Sequence, residues 1–280
     1  KDTNTYDGNN NQTVYIHQQW DVSVWVNLGK NLYTYDGNNN KTEWLDQSWN
    51  GSTWVNVWKQ SYTYDGNNNL TVLLWQNWDG SVWMNSWKDS YTYDENNNLT
   101  EYLHQFGGWD WINQSKFSYT YDENHNRTEY LNQTWDDSVW VNISKSTYTY
   151  DGNNNPIEYI DQTWNGSNWV NDTKSLFIYD GNDSLIEYLA HNWNGSSWVC
   201  GFKINYAYDE NSNLVEECHQ YLDGSTLVMG DKFLYTYAPI TAVNENLNSI
   251  NSYRLSNNYP NPFNPSTKIT YSIPERSNVS

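Results

Sequence analysis

An all-β fold is predicted for this chain, and three observations predict it. The first is a repeat. The aspartates of the Tyr-Asp pairs fall at Asp7, Asp36, Asp65, Asp94, Asp122, Asp151, Asp180 and Asp209, a period of 29 residues with one step of 28 between Asp94 and Asp122. The second is the content of a unit such as DGNNNKTEWLDQSWNGSTWVNVWKQSYTY, residues 36–64. Its two extended runs, 41–49 and 54–64, are rich in Trp, Tyr, Val and Thr and show no 3.6-residue apolar period. The third is turn chemistry. Asn-Gly or Asp-Gly stands between the runs at 50–51, 79–80, 165–166, 194–195 and 223–224, and these residues accept the positive φ of tight hairpin tips.

The elements follow in order. Each unit is a corner, DGNNN or a variant, then a strand, a hairpin tip and a second strand ending in Tyr-Thr-Tyr or a variant of it. Asp and Asn fold onto their own backbone as Asx-turns, so the corner reverses the chain. A ninth flank, YTYA at 235–238, ends the array with Ala238 in place of Asp. Eight units therefore span 1–238, a linker spans 239–251, and a different segment spans 252–280. Tandem 29-residue β-hairpins give a long antiparallel meander of roughly seventeen strands. Twisted open sheets rarely exceed about ten strands. The meander is thus expected to coil into a spiral or solenoid-like sheet, close into a tube, or be covered by another chain. Unpaired edge strands invite pairing between molecules.

Parity assigns faces. A tip at Asn50-Gly51 pairs odd positions of one strand with even positions of the next, which places Leu45, Gln47, Trp49, Trp54, Asn56, Tyr62 and Tyr64 on one face. Trp44, Val55, Lys59 and Thr63 then share the other, with Lys59 close to the aromatic at position 44 as a snorkelling cation. Gln47 and Asn56 are expected to meet and form amide ladders. The short unit predicts a bulge or an altered turn at QFGGWDW, 105–111.

Composition bounds the partners. The 280 residues hold 18 Trp and 25 Tyr, with 14 basic against 33 acidic residues and a net charge of −19. Nucleic acid and anionic membrane surfaces both need a basic face, so neither is an expected partner. So many aromatics argue against disorder, since each can bury about 150–250 Å2. No apolar run is long enough to span a bilayer. The chain begins inside a repeat, as a processed or incomplete chain would, and Cys200 and Cys218 do not imply a disulfide by their spacing.

Little catalytic chemistry is legible. No G-x-S-x-G, H-E-x-x-H, P-loop or paired-Cys motif occurs, and His17, His104, His125, His191 and His219 occupy differing repeat positions, so no enzyme and no cofactor is expected. Two readings of the corner stay open. Asp36, Asn38 and Asn40, repeated as Asp65, Asn67 and Asn69, match the start of a calcium loop, though its Gly and distant Glu are missing. The same residues also suit Asx-turns. Trp49, Trp54, Trp78 and Trp83, with amides nearby, are candidates for stacking on sugars, or else pack across their own hairpins.

Two resemblances rest on these residues. The unit YTYDGNNNLTEY, with Tyr64 and Asp65 followed by Asn69 and Leu70, resembles the tyrosine-aspartate (Rhs-type) repeats of bacterial surface and toxin proteins, which build spiralling β-sheets. The tail YRLSNNYPNPFNPSTKITYSIPE, 253–275, resembles the start of the C-terminal sorting domain of type IX secretion. Tyr259, Pro260, Asn261, Pro262, Phe263, Asn264 and Pro265 match its signature, and Ile269, Tyr271 and Ile273 its first alternating strand. That resemblance implies export by a Bacteroidota-type bacterium to the cell surface or beyond it. The expectation is a secreted structural or interaction protein, a fibre subunit self-associating by strand pairing, with the tail strand at 267–273 added to a neighbour's sheet. A carbohydrate-binding adhesin and the non-catalytic repeat region of a larger secreted protein are the alternatives.

Overall fold

The computed structural model describes residues 1–108, 110–223 and 226–236, together with strand residues 254–255, 259–264, 266–268 and 271–272. Its strands run β1 Asp2–Tyr6, β2 Gln12–Asp21, β3 Val24–Tyr35, β4 Lys41–Trp49, β5 Trp54–Tyr64 and β6 Leu70–Trp78. They continue as β7 Trp83–Tyr93, β8 Leu99–Phe106, β9 Ile112–Tyr121, β10 Arg127–Asp136, β11 Val139–Tyr150 and β12 Pro156–Trp164. The array ends with β13 Trp169–Tyr179, β14 Leu185–Trp193, β15 Trp198–Tyr208, β16 Leu214–Asp223 and β17 Thr226–Leu234. Each pairs antiparallel with its sequence neighbours, as β4 does with β3 and β5, in one 17-stranded sheet. The expected meander is present as an open sheet: β1 pairs only with β2 and β17 only with β16 among the described residues.

The sheet is one layer deep, and among the described residues no hydrophobic side chain is buried. Strand residues on both faces are half-buried, as along Lys41–Trp49. A core made by packing one layer on another is therefore missing, and lateral contacts between neighbouring strands stand in its place.

The tips divide into two kinds. Trp49 pairs with Trp54 around a four-residue tip, where Gly51 takes φ 98° and Asn50 Oδ1 accepts the N–H groups of Ser52 and Thr53, each at 2.9 Å. Where the glycine is absent, Asp21 pairs with Val24 and Asp136 with Val139 around two-residue tips, and Val22 (φ 51°) and Asp137 (φ 46°) take the left-handed conformation. The short unit has an altered turn, as expected: Gln105 pairs with Asn113, one residue nearer in sequence than Gln47 is to Asn56, and the last pair, Phe106 with Ile112, closes a five-residue tip. Gly107 stands there where six other units place a tryptophan, because a Cβ would fall 2.4 Å from the backbone oxygen of Asn85. Trp109 and Gly224 lie outside the described residues.

The face assignment needs correction. The tip parity holds through Gln47–Asn56, but Asp46 then pairs with Trp58, leaving Val57 as an extra residue. Such a bulge reverses parity for the rest of the strand. Lys59 and Thr63 therefore join the face of Trp49 and Trp54, while Tyr62 and Tyr64 join the face of Trp44. A register shift between the same positions recurs in the other hairpins, for example at His17/Gln18 and Trp75/Gln76. A second shift at each corner, between Thr63 and Tyr64 for example, keeps every unit in the same phase.

The residues from Tyr235 onward form a separate unit. There β18 (Arg254–Leu255) pairs with β21 (Tyr271–Ser272), and β19 (Tyr259–Asn264) pairs with β20 (Ser266–Lys268). The signature residues Tyr259, Pro260, Asn261, Pro262, Phe263 and Asn264 make β19, and Tyr271 lies in β21. Pro265, Ile269, Ile273, Ala238 and the linker 239–251 lie outside the described residues.

Candidate functional site

The corner loops bring the six candidate cation ligands together as two separate, equivalent cages. In the first, Asp36 Oδ1 accepts the N–H groups of Asn38 and Asn40, each at 2.9 Å, and Asp36 Oδ2 accepts Asn40 Nδ2 at 3.1 Å. The backbone closes around them, Asn39 N–H donating to Asp36 O at 3.1 Å and Asp36 N–H to Asn40 O at 2.9 Å. Asp65, Asn67 and Asn69 repeat this arrangement. These are Asx-turns, and both carboxylate oxygens are engaged by N–H donors. The backbone N–H of Asn40, helped by the Asn40 amide and the Asn38 N–H, holds the Asp36 carboxyl below its ordinary 3.8, and the Asn69 and Asn67 groups do the same for Asp65. Among the described residues no group of three or more His, Cys, Asp or Glu side chains is placed to hold a metal ion.

The middle asparagine was not singled out by sequence reasoning, and it links the loops. Asn39, Asn68 and Asn97 all take φ near 65°, a conformation Asn tolerates better than most residues. Asn68 Oδ1 accepts Asn38 Nδ2 at 2.8 Å and Asn40 Nδ2 at 2.9 Å from the preceding loop. Asn97 accepts Asn67 and Asn69 in turn, and Asp183 accepts Asn153 and Asn155. The signal was available: three consecutive asparagines where an Asx-turn uses only two. The corner tyrosine adds a parallel link, since Tyr64 Oη donates to Lys41 O at 3.0 Å and Tyr93 Oη to Leu70 O at 3.0 Å.

The candidate sugar-stacking tryptophans pack on each other. Trp49 and Trp54 meet edge to face at 5.2 Å, and Trp78 and Trp83 at 5.1 Å. Lysines from the preceding unit then cover one ring of each pair: Lys30 Nζ lies 5.6 Å from the Trp54 ring, and Lys59 Nζ 4.9 Å from Trp83. The expected cation–π contact exists, but its partner is the next tip rather than position 44, because the bulge turned Lys59 over. The amides of Gln47 and Asn56 meet at 2.8 Å within their hairpin, as do Gln76 and Asn85 at 2.9 Å.

The opposite face carries a lateral row of rings. Centroids step from Tyr33 to Trp44, Trp58, Trp75 and Trp87 at 5.8, 4.8, 4.5 and 5.4 Å, close to the spacing of neighbouring strands. Trp58, Trp75 and Trp87 are stacked, so their faces are turned to each other and their edges outward. Polar knots interrupt the row. Asp89, 7% exposed, accepts Tyr102 Oη at 2.9 Å and lies 2.6 Å from His104 Nδ1. Asp161 Oδ1 accepts Ser146 Oγ at 2.6 Å and Tyr159 Oη at 2.5 Å. Burial, and then that bond to Asp161, push the Tyr159 hydroxyl up to about 12. Cys200 and Cys218 are free thiols.

Comparison with known proteins returned solved structures alone. No family model matches the chain, and no curated protein does. A protein of unknown function from Bacteroides fragilis is 14% identical, over 44% of this chain and 92% of its own, with a TM-score of 0.33. The Photorhabdus luminescens Tc holotoxin pore is 11% identical over 81% of this chain and 15% of its own, with a TM-score of 0.37. A porin-like protein from Bacteroides uniformis is 8% identical over 78% of this chain and 94% of its own, with a TM-score of 0.33. At these scores the similarity carries no argument about fold or role. The fold itself defines the class: an all-β repeat protein whose described array is one open hairpin meander.

Proposed function

We propose that this chain is a non-catalytic structural protein of a bacterial cell surface, exported through its type IX-like tail, and a subunit of an extracellular fibre built by strand pairing between protomers. The observation that carries the reading is edge strand β17. Val228, Met229, Phe233 and Leu234 are all exposed there, Met229 to 60% and Leu234 to 70%. Among the described residues no strand pairs with the outer side of β17, and an exposed apolar edge strand is a template for another strand. The lateral bonds between units are also alike from one unit to the next, so strand addition extends an existing pattern.

Electron microscopy of the purified protein over a concentration series tests this. Fibres or end-to-end oligomers are expected, and they should be lost when Met229→Lys and Leu234→Lys charge the edge. Separate particles at every concentration would overturn the reading. Cell fractionation of the producing bacterium tests export separately, with the protein expected outside the outer membrane.

A second reading, carbohydrate binding, is favoured by the first hairpin, where Trp20 and Trp25 are 53% and 48% exposed. Quenching of tryptophan fluorescence by soluble polysaccharide distinguishes it, because a fibre subunit need not respond.

A further inference from the structure

The residue five places after each corner aspartate occupies an equivalent seat on the aromatic-row face. In the second unit it is Lys41, whose Nζ lies 5.1 Å from the Tyr33 ring centroid, 5.3 Å from Trp44 and 5.9 Å from Tyr62. In the fifth it is Arg127, whose guanidinium lies 4.6 Å from the Tyr148 centroid and donates to Tyr148 Oη at 2.7 Å. Gln12, Leu70, Leu99, Leu185 and Leu214 hold the seat elsewhere, and every one of these seven residues is half-buried. The sixth unit differs. Its residue is Pro156, which opens β12 opposite Tyr150 and is exposed. Proline is tolerated at the first residue of a strand, but it is too short to fill the seat.

An open cavity of about 440 Å3 results, lined by Tyr148, Tyr150, Pro156, Tyr159 and Phe177. Its rings stand in the register of the Lys41 cage. Tyr148, Tyr159 and Phe177 lie three before, eight after and twenty-six after Asp151, as Tyr33, Trp44 and Tyr62 do around Asp36. Thus the molecule holds one copy of the cage with an ammonium in it and another with the cation's own residue replaced by proline.

We propose that the Pro156 cup is a binding site for an alkylammonium group, either a quaternary ammonium or the side chain of a lysine. Ring faces attract such a cation through their quadrupole, and it sheds water more readily than a metal ion does. The local charge agrees. Asp161, bonded to Tyr159, is on the same strand, and the chain as a whole carries −19. An opposing charge, Arg127, stacks on Tyr148 from β10, across β11 from Pro156, and sets a limit on the affinity expected.

The test is calorimetric titration of the full chain with choline, with its neutral isostere 3,3-dimethylbutan-1-ol, and with N-acetyl-lysine methylamide. Choline or the lysine derivative is expected to bind with a dissociation constant on the order of millimolar, about tenfold tighter than the neutral alcohol. Which of the two binds more tightly identifies the source of the ammonium. Pro156→Lys should supply the cup with its own cation and abolish binding without lowering the melting temperature, since seven other units carry a longer residue there. Tyr159→Ala should abolish binding too. Equal affinity for choline and the alcohol, no binding of either ammonium, or binding retained in Pro156→Lys would each overturn the proposal. None of these outcomes bears on fibre formation, which uses a different surface.

Discussion

At the scale of single residues, the corner asparagines divide the work of one loop among three positions. Asn38 and Asn40 offer their backbone N–H groups to Asp36, and Asn39, in the left-handed conformation, accepts the amides of Asn9 and Asn11 from the loop before. Replacing Asn68 by Gly keeps that conformation accessible but removes the acceptor of two amide donors, at a cost of about 1 kcal/mol. Asn68→Val loses the same bonds and adds left-handed strain, so its cost should be about 1–2 kcal/mol greater, measured by chemical denaturation. The carboxyls have a pH consequence. Asp36 and Asp65 are held below their ordinary 3.8, so as pH falls the unfolded chain binds protons before the folded one. Their stabilisation is complete above 3.8 and disappears as pH falls through the lower folded values. Their contribution to the thermal midpoint should be constant from about pH 7 to 5 and be lost below about pH 4, so Asp36→Asn and Asp65→Asn should flatten the acid limb of the midpoint's pH dependence. Since N–H donors already engage both oxygens of each carboxylate, a chelator should leave the midpoint unchanged at neutral pH; a fall on chelation would return calcium to these loops.

At the scale of the hairpin, two local features decide geometry: the tip and the bulge. Glycine tips carry φ near 100° without strain, whereas Val22 is β-branched and sits at φ 51°. Val22→Asn should therefore stabilise the protein by about 1 kcal/mol, read from the denaturation midpoint at constant slope. No gain would mean that the two-residue tip relaxes in solution. The bulge at Val57 is less visible in sequence. It explains why Val57, Leu28 and Ile143, apolar residues in strands, are exposed: each is the extra residue of its hairpin. Alternation of residue types was legible, but the place where it slips by one was not, because no glycine marks the bulge in most units.

At the scale of the whole array, neighbouring units are joined at three heights. Lysine reaches the next tip tryptophan, rings stack along the middle, and amides with tyrosine hydroxyls join the corners. With no buried hydrophobic residue among those described, stability should be a sum of such neighbour terms. Excising residues 65–93, which joins Tyr64 to Asp94 in phase, should leave a folded protein with an unchanged β-sheet circular dichroism signal per residue. Collapse to a disordered chain would show that contacts beyond nearest neighbours hold the sheet.

The amino-acid sequence by itself determined the period, the strands, the corners and the meander, because turn chemistry and strand propensity act within about ten residues of one another. Only the tertiary structure decided which side Lys59 and Tyr62 occupy, which asparagine ties one loop to the next, and which aromatic seat stands open at Pro156. Those outcomes depend on backbone groups pairing across strands, where one unpaired residue reverses every side chain that follows it.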